Sequence, residues 1–67
     1  MTIGERIDMV IQEKGLTNRQ AAELLGMREN LLSMYKYDAR PMPLKTFIKF
    51  CKVFNVDANW LIGKGEI

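Results

Sequence analysis

The chain has 67 residues but no histidine and only one cysteine, Cys51. Without imidazole it lacks the usual general base near neutral pH, and a single thiol makes neither an internal disulfide nor, without other soft ligands, a zinc site. No glycine-rich phosphate loop and no paired carboxylates at metal-ligand spacing stand in for them, and so short a chain has little room for a cleft. These gaps argue against an enzyme, a cofactor and a bound metal. Long apolar runs are also missing. No stretch approaches the ~20 residues of a bilayer span, and the N-terminus lacks the basic-then-apolar order of a secretory signal. A cytoplasmic chain without membrane contact is expected, a compartment in which a lone thiol stays reduced. A net charge of only +2 gives total charge little pull on a polyanion.

With 48% hydrophobic and 27% charged residues, the composition is that of a folded domain, and the length allows one domain over residues 1–67. At this size the core is thin, and a partner subunit often completes it. Charge is unevenly placed. The first fourteen residues set Glu5, Asp8 and Glu13 against Arg6 and Lys14, whereas residues 36–52 carry Lys36, Arg40, Lys45, Lys49 and Lys52 against Asp38 alone. An anionic partner would sit there.

Apolar periodicity predicts helices and no strands. Thr2 with Glu5 has capping-box spacing, and Ile3, Ile7, Val10 and Ile11 recur at helical intervals up to Gly15, giving a helix over about 3–14. Thr17 with Gln20 repeats the signature ahead of Ala21, Ala22, Leu24 and Leu25, and Gly26 stops that helix after two turns. Leu31, Leu32 and Tyr35 predict a third helix over about 28–36, ended by Arg40-Pro41-Met42-Pro43. Pro43 can open a fourth, over about 44–54, with Leu44, Phe47, Ile48, Phe50, Cys51 and Phe54 as a broad core stripe. Asp57 is a candidate N-cap for a short fifth helix carrying Trp60, Leu61 and Ile62.

The segment from Thr17 to about Tyr37 carries the functional reading. Two helices crossing steeply through a short turn need a small residue where they touch, which Ala22 supplies, and a residue tolerant of φ > 0 at the turn, which Gly26 supplies. Leu25, Met27, Leu32 and Tyr35 then face the core. Such a pair can lay its second helix in the major groove of double-stranded DNA while the first helix's N-terminal amides meet a phosphate. The competing reading of this spacing is an ordinary helical hairpin within a bundle.

The sequence also resembles the Cro and phage-repressor helix-turn-helix domains over almost its whole length. The resemblance is carried by Ile3-Gly4-Glu5-Arg6-Ile7, Lys14-Gly15-Leu16-Thr17, Ala22-Glu23-Leu24-Leu25-Gly26-Met27, Ser33-Met34-Tyr35 and Val56-Asp57-Ala58-Asn59-Trp60-Leu61-Ile62-Gly63. It implies the five-helix, all-α lambda-repressor-like fold and a transcriptional regulator that binds an operator as a homodimer, often through its last helix. Carried over by position, it implies phosphate contacts from Asn18, Arg19, Arg28, Lys36, Tyr37, Arg40 and Lys45. It assigns base edges to Glu29, Asn30, Leu31 and Met34. Asn pairs with adenine, Glu accepts from cytosine N4, and Leu or Met touches a thymine methyl. The dimer contact falls on Trp60, Leu61 and Ile67.

Two departures from the family pattern stand out. Met27-Arg28-Glu29 offers no Ser or Thr cap for the third helix. Where the family pairs an arginine on helix one with a glutamate near the end of helix three, this chain has Ile11 and Lys36. Leu31 and Met34 also make an apolar strip that would suit a protein partner, so a protein-binding module, antirepressor-like or an antitoxin subunit, is the alternative function. Cys51 reads as a small core hydrophobe. Lys49 and Lys52 read as a solvated helix face, and Met9 as a scattered surface residue.

Overall fold

The computed structural model describes residues 1–63 and shows five helices and no strand among them. Each boundary has a local cause. In α1 (Ile3–Glu13), the Glu5 amide donates to Thr2 Oγ1 at 3.1 Å and the Thr2 amide to Glu5 Oε1 at 2.8 Å, closing the capping box. In α2 (Asn18–Leu25), Gln20 and Thr17 repeat that exchange at 3.1 and 2.9 Å. Gly26 then turns the chain at φ 68°, and the Met27 amide reaches back to the Ala22 carbonyl at 3.0 Å. This left-handed closure leads directly into α3 (Glu29–Lys36), whose N-cap residue Arg28 makes no side-chain capping bond, as its sequence predicts.

After α3 the chain leaves through Asp38 at φ 57°, passes the two prolines and enters α4 (Leu44–Phe54) with Pro43 at the N-cap instead of inside the first turn. Asn55 at φ 54° ends α4, and Asp57 caps the single turn of α5 (Ala58–Leu61) by accepting from the Asn59 amide at 3.1 Å. Among the described residues, no helix is long and apolar enough to cross a membrane.

The core lies where α1 packs on α3 and α5, and α2 on α3 and α4. Ile7, Val10 and Ile11 of α1, Ala21, Ala22 and Leu25 of α2, and Leu32 and Tyr35 of α3 are buried in one cluster. Phe50 and Phe54 close the far side with tilted rings 4.7 Å apart. The α4 stripe is narrower than its sequence suggests. Leu44 and Ile48 remain 73% and 45% exposed, because α4 turns its Phe50 and Phe54 edge inward and nothing within the described chain covers the other.

Three polar contacts tie α1 and its N-cap to the rest of the fold. Arg6 is 1% exposed, donates from Nη1 to the Trp60 carbonyl at 2.9 Å and lies 5.0 Å from the centroid of the Trp60 ring, tying α1 to α5. Asp38 accepts from Thr2 Oγ1 at 2.6 Å and from the Gly4 amide at 2.9 Å. Its carboxylate thereby sits at the positive end of the α1 dipole. The third contact joins Asp8 to Lys36 at 3.1 Å.

Candidate nucleic-acid interface

The α2 and α3 pair has the geometry that its sequence predicts, with Ala22 2% exposed at the helix contact and Leu25 and Leu32 buried beside it. Burial of that seam fixes which face of α3 looks outward. Glu29 and Asn30 in its first turn are exposed, and Leu31 and Met34 are half-buried. Leu31 packs against the core cluster. The bare apolar strip expected on α3 is therefore corrected: α3 sinks far enough between α1 and α2 to draw these side chains partly inward. The exposed apolar residues lie elsewhere, with Ile3, Leu44 and Ile62 at the rim of an open groove of about 650 Å³.

The cations separate into two groups. Arg19, Arg28, Arg40 and Lys45 are exposed, as is Tyr37. Arg19 meets Glu23 at 3.4 Å, but with side chains 80% and 69% exposed this i,i+4 pair contributes little and does not hold the guanidinium in place. Arg28 stands at the α3 N-cap, Tyr37 and Arg40 in the segment leaving α3, and Lys45 in the first turn of α4. Among the described residues, all four can approach an anion without breaking an internal bond.

Lys36 is different, and the expectation that it offers a free cation to a phosphate is corrected. Its side chain is only 15% exposed, and its ammonium lies 3.1 Å from Asp8 Oδ1 and 3.1 Å from Asn18 Oδ1. Asn18 in turn donates from Nδ2 to Ser33 Oγ at 3.0 Å. The Asn18 side chain is thus committed internally, and what it offers at the start of α2 is its backbone amide, one of the first-turn donors without an intrahelical acceptor. Ile11, at the position where the related domains carry arginine, is an ordinary core residue with 2% exposure. The pairing of helix one with the end of helix three survives with its charges exchanged and its α1 member moved to Asp8.

Of the three residues assigned to a dimer contact, Leu61 is withdrawn: it is 0% exposed within the monomer core. Trp60 is half-buried beneath Arg6, and Ile67 lies outside the described residues. The exposed apolar side chain of that turn is Ile62, at 49%. Arg6, Asp8 and Asp38 were not among the expected functional residues. Arg6 had one visible signal, since at i+3 from Ile3 and i−4 from Val10 it falls inside the apolar stripe of α1. Asp8 and Asp38 had none, because the contacts that tie them to other elements, Asp8 with Lys36 and Asp38 with Thr2 and Gly4, join residues far apart in sequence.

The remaining groups are structural. Cys51 is half-buried, and burial, with the Asp57 carboxylate adding to it, pushes its thiol above the ordinary range. Lys49 carries its ammonium over Gly26, where a Cβ would come within 3.0 Å of it. That places a cation at the negative end of α2.

Comparison with known proteins agrees with this geometry. The chain is 36% identical over its full length to the HTH-type transcriptional regulator ImmR of Bacillus subtilis, covering 53% of that protein. It is 23% identical over 96% of its length to the HTH-type transcriptional regulator RamB of Mycobacterium tuberculosis, covering 14% of that protein. The chain thus spans about half the length of one curated relative and a small part of the other. The family model described as a helix-turn-helix domain matches residues 4–66, so the chain belongs to the helix-turn-helix family of DNA-binding domains.

Proposed function

We propose that this domain binds double-stranded DNA sequence-specifically and regulates transcription by occupying an operator, with α3 in the major groove. The observation that carries the reading is the composition of its outward face. Glu29 and Asn30 project from the first turn of α3 beside Arg28, while Arg40 and Lys45 stand exposed on the segments that follow. Base-reading side chains are therefore flanked by cations with no ion pair among the described residues, the division between specifying and positioning contacts that a duplex requires. The α2 N-terminus, with its capping box and free first-turn amides, supplies a further phosphate contact. Leu31 and Met34 keep enough exposure for their tips to meet thymine methyls.

A homodimer belongs to the same proposal. The exposed edge of Trp60 with Ile62 forms the two-fold contact, an arrangement suited to a domain of thin core that leaves Ile62, Leu44 and Ile48 uncovered. Changing Ile62→Glu should then give a monomer by sedimentation, and an unchanged mass would remove that placement. The reading as a whole is tested by selection from a randomised duplex library at low and near-physiological salt. Enrichment of an inverted repeat with half-sites about 10 bp apart supports it. Retention at low salt without any motif refutes it.

A further inference from the structure

We propose that Asp8 is a positioning residue for DNA recognition: it keeps Lys36 off the phosphates and, through Lys36, Asn18 and Ser33, fixes the start of α2 against α3. The inference rests on the DNA reading above and adds to it a residue that touches no DNA. Four side chains from three helices form one continuous chain of contacts. Asp8 Oδ1 in α1 meets Lys36 Nζ in α3 at 3.1 Å, the same nitrogen donates to Asn18 Oδ1 in α2 at 3.1 Å, and Asn18 Nδ2 donates to Ser33 Oγ, back in α3, at 3.0 Å.

The chemistry makes this chain directional. An ammonium has three donors and no acceptor, and two of Lys36's are spent on groups that can only accept from it. Moving Lys36 to a phosphate would leave the Asp8 carboxylate, 37% exposed, without its cation and would strip Asn18 Oδ1 of its donor in a half-buried setting. For Asn18 Oδ1 in its part-buried setting that loss costs more than the bond itself contributes, whereas the Asp8 carboxylate keeps the Gln12 Nε2 donor at 2.8 Å and its access to solvent. Asn18 is also the first residue of α2, whose amides are proposed to meet a phosphate, and Ser33 lies one residue before Met34 on α3. The chain of contacts therefore sets the phosphate-binding end of α2 and the base-reading face of α3 in one register. A looser link would let each dock slightly off.

The test uses the operator recovered by library selection and measures affinity against salt for the wild type, Lys36→Met, Asp8→Asn, their double mutant and Asp8→Glu. Each phosphate contact contributes about 0.9 to the slope of log K against log salt. Lys36→Met is expected to leave that slope unchanged, whereas Arg40→Ala lowers it by about 0.9. Asp8→Asn is expected to raise the slope by about 0.9, as the released Lys36 finds a phosphate, and to lower the ratio of specific to nonspecific affinity about tenfold. In the Lys36→Met background the slope increase disappears, and Asp8→Glu restores wild-type behaviour. Circular dichroism confirms folding, and Lys36→Gln, which keeps a donor to Asn18, replaces Lys36→Met if that variant does not fold. A slope lowered by about 0.9 in Lys36→Met overturns the proposal, because Lys36 would then be a direct phosphate contact. So does Asp8→Asn that lowers only the melting temperature, with slope and ratio intact. A wild type that enriches no motif instead overturns the DNA reading on which this one stands.

Discussion

Replacing Gly4 by alanine sets two opposed effects against each other. Inside a helix, alanine is favoured over glycine by up to about 1 kcal/mol, so local propensity alone predicts stabilisation. Packing predicts the reverse. A Cβ at Gly4 would press on the Lys36 carbonyl oxygen, stand 2.7 Å from the Tyr35 carbonyl oxygen and 2.8 Å from Asp38 Oδ1, all inside the 3.0 Å that real Cβ atoms essentially never cross. Two of the three obstacles are backbone at the C-terminal end of α3 and cannot rotate away. The helices must separate, straining the bonds from Thr2 and Gly4 to Asp38 at 2.6 and 2.9 Å. Overpacking costs roughly 1–3 kcal/mol, and weakening hydrogen bonds to a charged acceptor adds about 1.5 kcal/mol or more. After the propensity gain, the net loss is about 2 kcal/mol. For a domain of this size that lowers the melting temperature by roughly 10–15 °C. Thermal and urea unfolding followed by circular dichroism measure it, with Gly15→Ala as a control. At Gly15 nothing lies within 4 Å of a Cβ, so only the cost of φ +69° applies, about 1 kcal/mol. A Gly4→Ala protein as stable as the wild type would refute the close α1–α3 approach.

Thr17→Ala removes the hydroxyl that accepts from the Gln20 amide and should cost about 1 kcal/mol in urea unfolding, visible as a lower midpoint at an unchanged slope. Asn30→Ala should relax preference at one base position by about 1–3 kcal/mol while leaving the salt slope intact; Arg28→Ala should do the opposite, weakening all sequences alike. The raised thiol of Cys51 predicts slow alkylation at neutral pH compared with the unfolded chain. The same shift has a sign for stability. A thiol whose folded value lies above its unfolded one contributes stability below the unfolded value, and that contribution is lost as pH rises through the folded one. Cys51→Ala should therefore flatten the alkaline limb of the stability profile, and an unaltered limb would show that another group governs it.

The sequence made legible whatever is decided within one helical turn. Thr2 with Glu5 and Thr17 with Gln20 satisfy each other locally, and Gly26 takes a backbone conformation that costs other residues energy, so boundaries and turn could be read directly. The α4 stripe was misread because periodicity reports which residues share a face, not whether another element covers it. Leu44 lies at helical spacing from Phe47 and Cys51, and Ile48 from Cys51, yet both stay exposed. Lys36 illustrates the other limit. A lysine in a cationic segment looks free until the fold shows Asp8 beside it, one turn before the α1 position at which the related domains place their charge.

These long-range contacts divide the labour among the helices. Arg6, Asp8 and the amide of Gly4 all lie on α1, and among their partners are Trp60, Lys36 and Asp38, so a helix without any proposed DNA contact is tied both to α5 and to the end of α3. Two of these three ties fasten α1 to the C-terminal end of α3. The N-terminal end of α3, where Glu29 and Asn30 project, has no side-chain cap and is restrained mainly by burial of Leu32 and by the turn at Gly26. If α3 reads bases as proposed, a helix clamped at its C-terminal end and uncapped at its first turn can adjust that turn to a groove without shifting its axis. Placing a cap there by Arg28→Ser should therefore stabilise the domain by about 0.5–1 kcal/mol. It should also sharpen discrimination among related operators, in excess of what losing one phosphate contact takes from overall affinity. Equal discrimination with higher stability would mean that α3 already enters the groove fully ordered.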